Sequence, residues 1–341
     1  MKALVLAEVA RFEVREVDEP VPGPGEVRIA VRQSGICGSE LGGFTGSDGL
    51  RHPGLVFGHE LVGVVDRYGP GAEPAPRLTV GAPVTANPLR SCGRCPVCAS
   101  GRPNVCPHRQ LLGAHLPGSN AEFVVVPADA LHPLDGFARP ERAVLAEPAA
   151  CAVRAVAQAG PAPGATALVL GAGPIGLLLI EVLRLRGVGA VWFTEPHAGR
   201  GEAARACGAV ELDSDPERLA ARIGELTGGY GVDVVFDAVG STVTRQSATR
   251  VVRSGGTVCL VGLHTHETPL PVRDLIRREV TLTTSFAYTP DDFAAAVELL
   301  RQEELVFPAG LVHARLEQGQ HWYELLLAGD PAGKVVLEPP R

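Results

Sequence analysis

The rhythm of apolar and polar positions along the chain changes near residue 145. Up to about Leu145, short runs such as GEVRIAVRQSG, ELVGVVDRYG and AEFVVVPAD are set apart by Pro/Gly clusters, VPGPGE and GPGAEPAP among them. Runs rich in β-branched residues and bounded by turn formers predict strands joined by long loops, here a mostly antiparallel β domain. From about Glu147 helical and strand patterns alternate. EPAACAVRAVAQAG reads as a helix, ATALVLGAG as a strand and GPIGLLLIEVLRLRG as a helix. VWFTE (strand), RGEAARACGA and PERLAARIGELTG (helices), VDVVFDAVG (strand), VTRQSATRVVR (helix) and GGTVCLVGL (strand) follow. Uniformly apolar strands, each followed by an amphipathic helix, predict a parallel sheet covered on both faces. Val280–Phe286 reads as its last strand, followed by a helix at Asp291–Arg301 and a closing strand at KVVLEP.

Composition narrows the class. The chain has 341 residues, 45% hydrophobic and 20% charged, enough for two packed domains and not for a disordered protein. A net charge of −7 leaves no overall positive field for a nucleic-acid backbone or an anionic membrane, so neither is expected as a partner. Only Lys2 and Lys334 are lysines among 31 basic residues, which reads as GC-rich coding bias and carries no mechanistic weight at this level. The opening apolar run ends at Glu8, too short for a signal sequence or a membrane span, so a cytoplasmic, reducing location is expected.

The eight cysteines are unevenly placed. Cys92-x2-Cys95-x2-Cys98-x7-Cys106 falls within fifteen residues, while Cys37, Cys151, Cys207 and Cys259 are scattered. Four thiolates so spaced can wrap one tetrahedral Zn²⁺ and leave no open position, which makes the metal structural. A ferredoxin-like run is the competitor, since Pro107 follows Cys106, but it has three residues before its last cysteine where this chain has seven.

GAGPIG at Gly171–Gly176, with Pro174 and Ile175 in its variable positions, lies between an apolar strand and an apolar helix. In such a unit Gly171 makes the tight turn, Gly173 lets the backbone approach a pyrophosphate, and Gly176 allows close packing of helix on sheet. Glu195, nineteen residues after Gly176, is placed to accept from ribose hydroxyls and to repel a 2′-phosphate, which predicts NAD. Arg200 keeps NADP open, because a guanidinium five residues on can stack on adenine or reach that phosphate.

Cys37 in SGICGSE and His59–Glu60 in FGHE are isolated polar groups in glycine-rich apolar surroundings. Singly, each reads as a core residue. Together, a thiolate, an imidazole and a carboxylate make a mixed zinc site that can keep a position open for substrate.

GICGSE, GHE, CGRCPVCASGRPNVC, AEPAAC and GAGPIG occur in the order and spacing of the zinc-containing medium-chain dehydrogenase/reductase family, and over its whole length the chain resembles the polyol-dehydrogenase branch of sorbitol, threonine and galactitol-phosphate dehydrogenases. The resemblance implies an α/β protein with a doubly wound Rossmann sheet (151–286) inserted into a GroES-like, mostly β catalytic domain (1–150 and 287–341). The structural zinc lobe falls at about 90–107. Cys37 and His59 become ligands of a catalytic zinc, with Glu60 and Glu147 as the carboxylates that alternate with water or substrate. Cys151, four residues after Glu147, is kept as a packed helix residue. Two zinc ions per chain and NAD are implied, with a small alcohol or ketone as substrate and a homodimer or homotetramer as the assembly. The metal stabilises negative charge on the substrate oxygen, so a hydroxyl gives up its proton near neutral pH and hydride passes to the nicotinamide. Ser39 matches the hydroxyl that takes the first proton. Relatives carry a relay histidine where this chain has Gly42, which leaves water or Glu60 to take its place, and usually an aspartate at Glu40. Leu263 and Phe286 match positions at the nicotinamide end, Phe44, Phe57 and His115 are candidates for the cleft wall, and His264, His266 and His313 read as surface or loop residues.

Overall fold

In the computed structural model, which describes residues 1–72, 76–330 and 333–340, the strand Glu26–Gly35 is the organising element of the first unit. It pairs antiparallel with Glu60–Tyr68, which sets Gly35 opposite Glu60, and with Lys334–Glu338, which sets Gly35 opposite Val336. The sheet runs Leu311–Arg315, Lys334–Glu338, Glu26–Gly35, Glu60–Tyr68, Pro83–Ala86 and Leu131–Pro133, with Phe123–Pro127 also paired to Glu26–Gly35. Its strands carry Val27, Ile29, Val31, Leu61, Val65, Val84 and Val124 into one core, as half-buried antiparallel strands must. A second core gathers Phe12, Phe44, Phe57 and Tyr323. Phe12 stacks on Phe44 and meets Phe57 edge-on, at centroid distances of 5.3 and 5.0 Å.

The unit comprises Met1–Glu147, Thr289–Gln302 and Gly310–Arg341. The other comprises Pro148–Tyr288 and Glu303–Ala309, so the chain returns to it briefly after residue 302, where the sequence placed everything from 287 onward in the first domain. The cause is Glu181. This carboxylate, buried on the helix Pro174–Leu185, accepts the Val306 N–H at 3.2 Å, and Arg184 beside it donates to the Glu304 carbonyl at 3.0 Å.

The second unit holds six parallel strands in the order Val210–Leu212, Ala190–Thr194, Thr166–Leu170, Val232–Asp237, Val252–Leu260, Thr281–Thr284. The first three strands run outward in one direction and the rest in the other. This is the doubly wound dinucleotide-binding order, whose ligand crevice lies at the carboxyl ends beside the first strand. Leu168, Leu170, Val235 and Val258 are buried, which accounts for the unbroken apolar runs. The last strand is shorter than the sequence indicated. The helices Val272–Arg277 and Gly319–Leu327 were not foreseen.

Candidate active site

Cys37, His59 and Glu60 are brought together by the pairing of Glu26–Gly35 with Glu60–Tyr68. Cys37 lies two residues beyond the end of one strand, His59 immediately before the other, and Glu60 opens it. One ligand atom from each lies within 4.8 Å of the others. Gly58 makes the approach possible: its φ is +104°, and a Cβ there would stand 2.7 Å from the Asn120 nitrogen and the Ser119 hydroxyl. Cys37 is half-buried at the cap of the helix Gly38–Phe44, and the exposed Ser39 hydroxyl donates to its sulfur at 3.3 Å.

The donor set suits a cation. Glu60 Oε2 is buried without a hydrogen-bond partner, an expensive state that a bound ion relieves. Thiolate, imidazole and carboxylate are the ligand types of a zinc site with an open position. Behind them, Glu40 is fully buried. Its Oε1 accepts the Gly58 N–H at 2.9 Å and lies 3.0 Å from His59 Nδ1, close but poorly aligned for a hydrogen bond. Burial pushes the Glu40 carboxyl up, but the His59 ring and the Arg51 guanidinium outweigh it and hold it at about 2. Glu40 therefore stays anionic behind the imidazole, the carboxylate–histidine arrangement that orients metal ligands. Glu147 is buried at the start of the helix Ala146–Ala159 and is not a member of the close group of three. Cys151 is half-buried on the same helix.

The four clustered sulfurs have their own geometry. Cys92–Cys106 and Cys95–Cys98 are 3.5 Å apart, Cys95–Cys106 3.8 Å and Cys92–Cys98 4.0 Å. Sulfurs about 2.3 Å from one central ion form a tetrahedron with edges of about 3.8 Å. The match is to a single ion; a cluster of several irons would hold its sulfurs further apart. Among the described residues these two groups, Cys92–Cys95–Cys98–Cys106 and Cys37–His59–Glu60, are the ones able to hold a metal. N–H groups of Arg94 and Cys95 lower the Cys92 thiol to about 6, while burial and the neighbouring thiols push Cys98 up to about 11.

In the second unit Gly171 has φ +93°, and a Cβ on Gly176 would fall 2.0 Å from the Gly171 carbonyl oxygen. Gly173, by contrast, has nothing within 4 Å of where a Cβ would stand, so the backbone there is open to a ligand. It caps the helix Pro174–Leu185 without side-chain help, which leaves the positive end of that helix for a phosphate; Pro174 and Ile175 are half-buried in its first turn. Glu195 accepts from Ala172 N–H at 2.9 Å and His197 N–H at 3.0 Å, and Arg200 Nη1 stands 4.0 Å from it. Leu263 and Phe286 lie exposed beyond the carboxyl ends of the last two strands.

Phe44 and Phe57 are corrected: both are buried in the aromatic core with Phe12 and Tyr323, so neither lines a cleft. His115 is exposed, its Nδ1 accepting the Leu111 N–H at 3.1 Å, and His264, His266 and His313 are exposed as well. Two residues next to the site were missed. Tyr323 donates to Glu40 Oε2, and Lys334 donates to Glu60 Oε1 at 2.7 Å. Burial would lower the Lys334 ammonium, but Glu60 and Cys37 raise it, so it stays charged. Its signal was present in the sequence: one of two lysines in a chain that otherwise uses arginine.

Residues 23–136 match the alcohol dehydrogenase GroES-like domain family and residues 174–302 the zinc-binding dehydrogenase family. Sorbitol dehydrogenase of Halalkalibacterium halodurans is 31% identical, with 99% of each chain covered. L-galactonate-5-dehydrogenase of Escherichia coli K12 is 31% identical over 92% of this chain and 91% of its own. The solved structure of an alcohol dehydrogenase from Escherichia coli CFT073, complexed with NADH, superposes with a TM-score of 0.90 at 28% identity, covering 99% of both chains. With its two zinc-type ligand groups and its dinucleotide fold, the chain belongs to the zinc-containing medium-chain alcohol dehydrogenase family.

Proposed function

We propose that the protein oxidises a secondary alcohol of polyol, sugar or cyclitol type to its ketone, using NAD, one catalytic zinc and one structural zinc. The observation that carries the reading is the convergence of Cys37, His59 and Glu60 beside the exposed Ser39 hydroxyl. Zinc, when bound, stabilises negative charge on the substrate oxygen. Cys37, His59 and Glu60 hold it, with Glu147 as a further carboxylate near the group. Ser39 takes the hydroxyl proton. Gly42 leaves the outward relay without an imidazole, so the proton passes from Ser39 to solvent. The open backbone at Gly173 and the first turn at Pro174, Ile175 and Gly176 take the pyrophosphate. Glu195 takes the ribose hydroxyls, and Leu263 and Phe286 flank the nicotinamide end. The lobe of Cys92, Cys95, Cys98 and Cys106 staples its loop and takes no part in the chemistry.

The relatives that oxidise a hydroxyl on a polyhydroxylated carbon chain support the substrate class. A second reading, an NADPH-dependent reductase of ketones or aldehydes, is favoured by Arg200, whose guanidinium offsets the Glu195 charge at 4.0 Å. A screen of polyols, sugar phosphates, aminocyclitols and simple secondary alcohols with NAD⁺ and NADP⁺ decides between them. Zinc analysis accompanies it: two ions per chain are expected, and a single ion, held by the lobe alone, would reduce the protein to a nucleotide-binding scaffold.

We further infer a homodimer or homotetramer in a reducing compartment, the cytoplasm. The edge strand Thr281–Thr284 exposes Leu282, and the helix Val272–Arg277 beside it exposes Val272 and Ile276, an apolar edge suited to a second copy. Thiols at metal-binding spacing require reduced sulfur. No helix among the described residues is long and apolar enough to cross a membrane. Light scattering gives the assembly.

A further inference from the structure

The two oxygens of Glu60 are treated unequally. Oε1 accepts from Lys334 Nζ at 2.7 Å, and Oε2, equally buried, has no hydrogen-bond partner. The same ammonium donates to the carbonyl of Ile36, the residue before Cys37, at 3.1 Å. Lysine and glutamate are exposed by 2% and 1%, so water does not screen the pair.

Sheet register produces this arrangement. Gly35 stands opposite Glu60 on one side and Val336 on the other, and Lys334 begins the strand two residues before Val336. Gly35 has no side chain in the way: a Cβ there would lie 2.2 Å from Glu60 Oε2. Three strands therefore meet around one carboxylate, with a fixed cation on one oxygen and the other uncommitted. Cys37 and Glu147 are also close enough to act on the ammonium electrostatically.

We propose that Lys334 is a positioning residue for the catalytic metal, a counterweight that holds Glu60 by Oε1 so that the carboxylate can give up the metal and leave a coordination position open. This rests on the reading of Cys37, His59 and Glu60 as zinc-holding residues. A buried carboxylate with one cationic partner stays on it, because leaving would strand its charge in an apolar interior. With two cationic partners it can exchange between them. Removing the ammonium makes the metal the sole partner, and it removes a like charge that weakens the metal's own binding. Both effects tighten the metal and close the site.

Lys334→Met, uncharged and of similar length, and Lys334→Arg test this in the full-length enzyme. Zinc release is followed with a chromophoric chelator, the four-cysteine lobe serving as internal reference. Cobalt(II) exchanged into the catalytic site is followed through its visible bands, with imidazole as the probe of the open position. For K334M we expect two zinc ions per chain, catalytic-site release at least tenfold slower than wild type, and at least tenfold more imidazole needed to shift the cobalt bands. K334R should keep wild-type behaviour in both. Faster zinc loss from K334M, or unchanged release and imidazole response, would overturn the proposal. If K334M does not fold, Lys334→Gln, which can still donate to the Ile36 carbonyl, replaces it under the same criteria. A wild-type protein with one zinc overturns the underlying reading of the site, a result separable from any effect of residue 334.

Discussion

Tyr323 donates its hydroxyl to Glu40 Oε2 at 2.5 Å, across 283 positions of sequence. The other oxygen of that carboxylate backs His59 at 3.0 Å, and Asn120 Nδ2 donates to the Tyr323 oxygen at 3.3 Å. On the proposed reading of His59 as a metal ligand, the carboxylate behind it is thus itself held in place. Outer partners of this kind are worth about 10–100-fold in metal affinity. Glu40→Gln should weaken catalytic-site zinc by about that factor and Tyr323→Phe by about the lower end of it. Competition with a chelator of known affinity measures both; equal affinity for wild type and Glu40→Gln would show that the contact orients nothing.

The two metal groups should separate by mutation. Cys37→Ser is expected to abolish turnover and reduce zinc from two ions to one while leaving the circular dichroism spectrum intact. Cys95→Ser removes the other ion and costs stability first, lowering the melting midpoint by more than the roughly 2–4 °C that 1 kcal/mol produces in a domain of this size. Metal analysis and calorimetry on the two variants check this, and a Cys37→Ser protein that fails to fold would make that cysteine structural.

Within the lobe, the backbone N–H groups of Arg94 and Cys95 hold the Cys92 thiol at about 6, whereas burial and neighbouring thiols hold Cys98 at about 11. A lowered thiol is anionic above its pKa, so after zinc is stripped at pH 7 Cys92 is largely thiolate and Cys98 is not. Iodoacetamide should therefore label Cys92 before Cys98, and the rate of Cys92 labelling should fall as the pH drops below about 6. Peptide mass spectrometry reads the order of labelling.

Gly176→Ala tests the phosphate loop. The added methyl would meet the Gly171 carbonyl oxygen at 2.0 Å, too close for any backbone to tolerate unmoved. Overpacking of this sort costs about 1–3 kcal/mol. The variant should unfold at lower denaturant and bind NAD at least about tenfold more weakly, a loss of roughly 1.4 kcal/mol. Wild-type affinity would place the cofactor elsewhere.

Glu195 also braces the loop through the Ala172 N–H, so its removal should act on both affinity and choice of cofactor. Glu195→Ser is expected to lower kcat/KM with NAD⁺ and raise it with NADP⁺, shifting their ratio by more than tenfold. Steady-state rates with both cofactors decide, and an unshifted ratio would mean that Arg200, not Glu195, controls the choice.

What could be read from the sequence was local. The four lobe cysteines lie within fifteen residues, the glycines of the phosphate loop within six, and the apolar strands announce their own burial. What could not be read depends on register between distant strands. The Glu60–Lys334 pair spans 274 positions, and it exists because Gly35 stands between the two strands. Phe44 and Phe57 follow the same logic. Both were candidates for the cleft wall, but the helix Gly38–Phe44 turns Phe44 inward, where an aromatic from the helix Gly319–Leu327 completes the core. Glu303–Ala309 groups with the second unit, where Glu181, a charged residue inside an apolar helix, accepts the Val306 N–H, a partnership that no local pattern reveals.

Tyr323 and Lys334 give the protein an order of maturation. Domains fold from the amino terminus as a chain is synthesised. The cysteines of the lobe are all made by residue 106, and the partners flanking them, the His108 N–H on Cys106 and the strand Gln110–Leu111 paired with Leu89–Arg90, follow at once. The other site has its ligands Cys37, His59 and Glu60 by residue 60, yet the groups that brace Glu40 and balance Glu60 are translated more than 250 positions afterwards. A chain that stops before Gly319 has all four lobe cysteines but neither Tyr323 nor Lys334, the partners of Glu40 and Glu60. The proposed reactive group therefore has its complete set of buried partners only when the last strand, Lys334–Glu338, is in place.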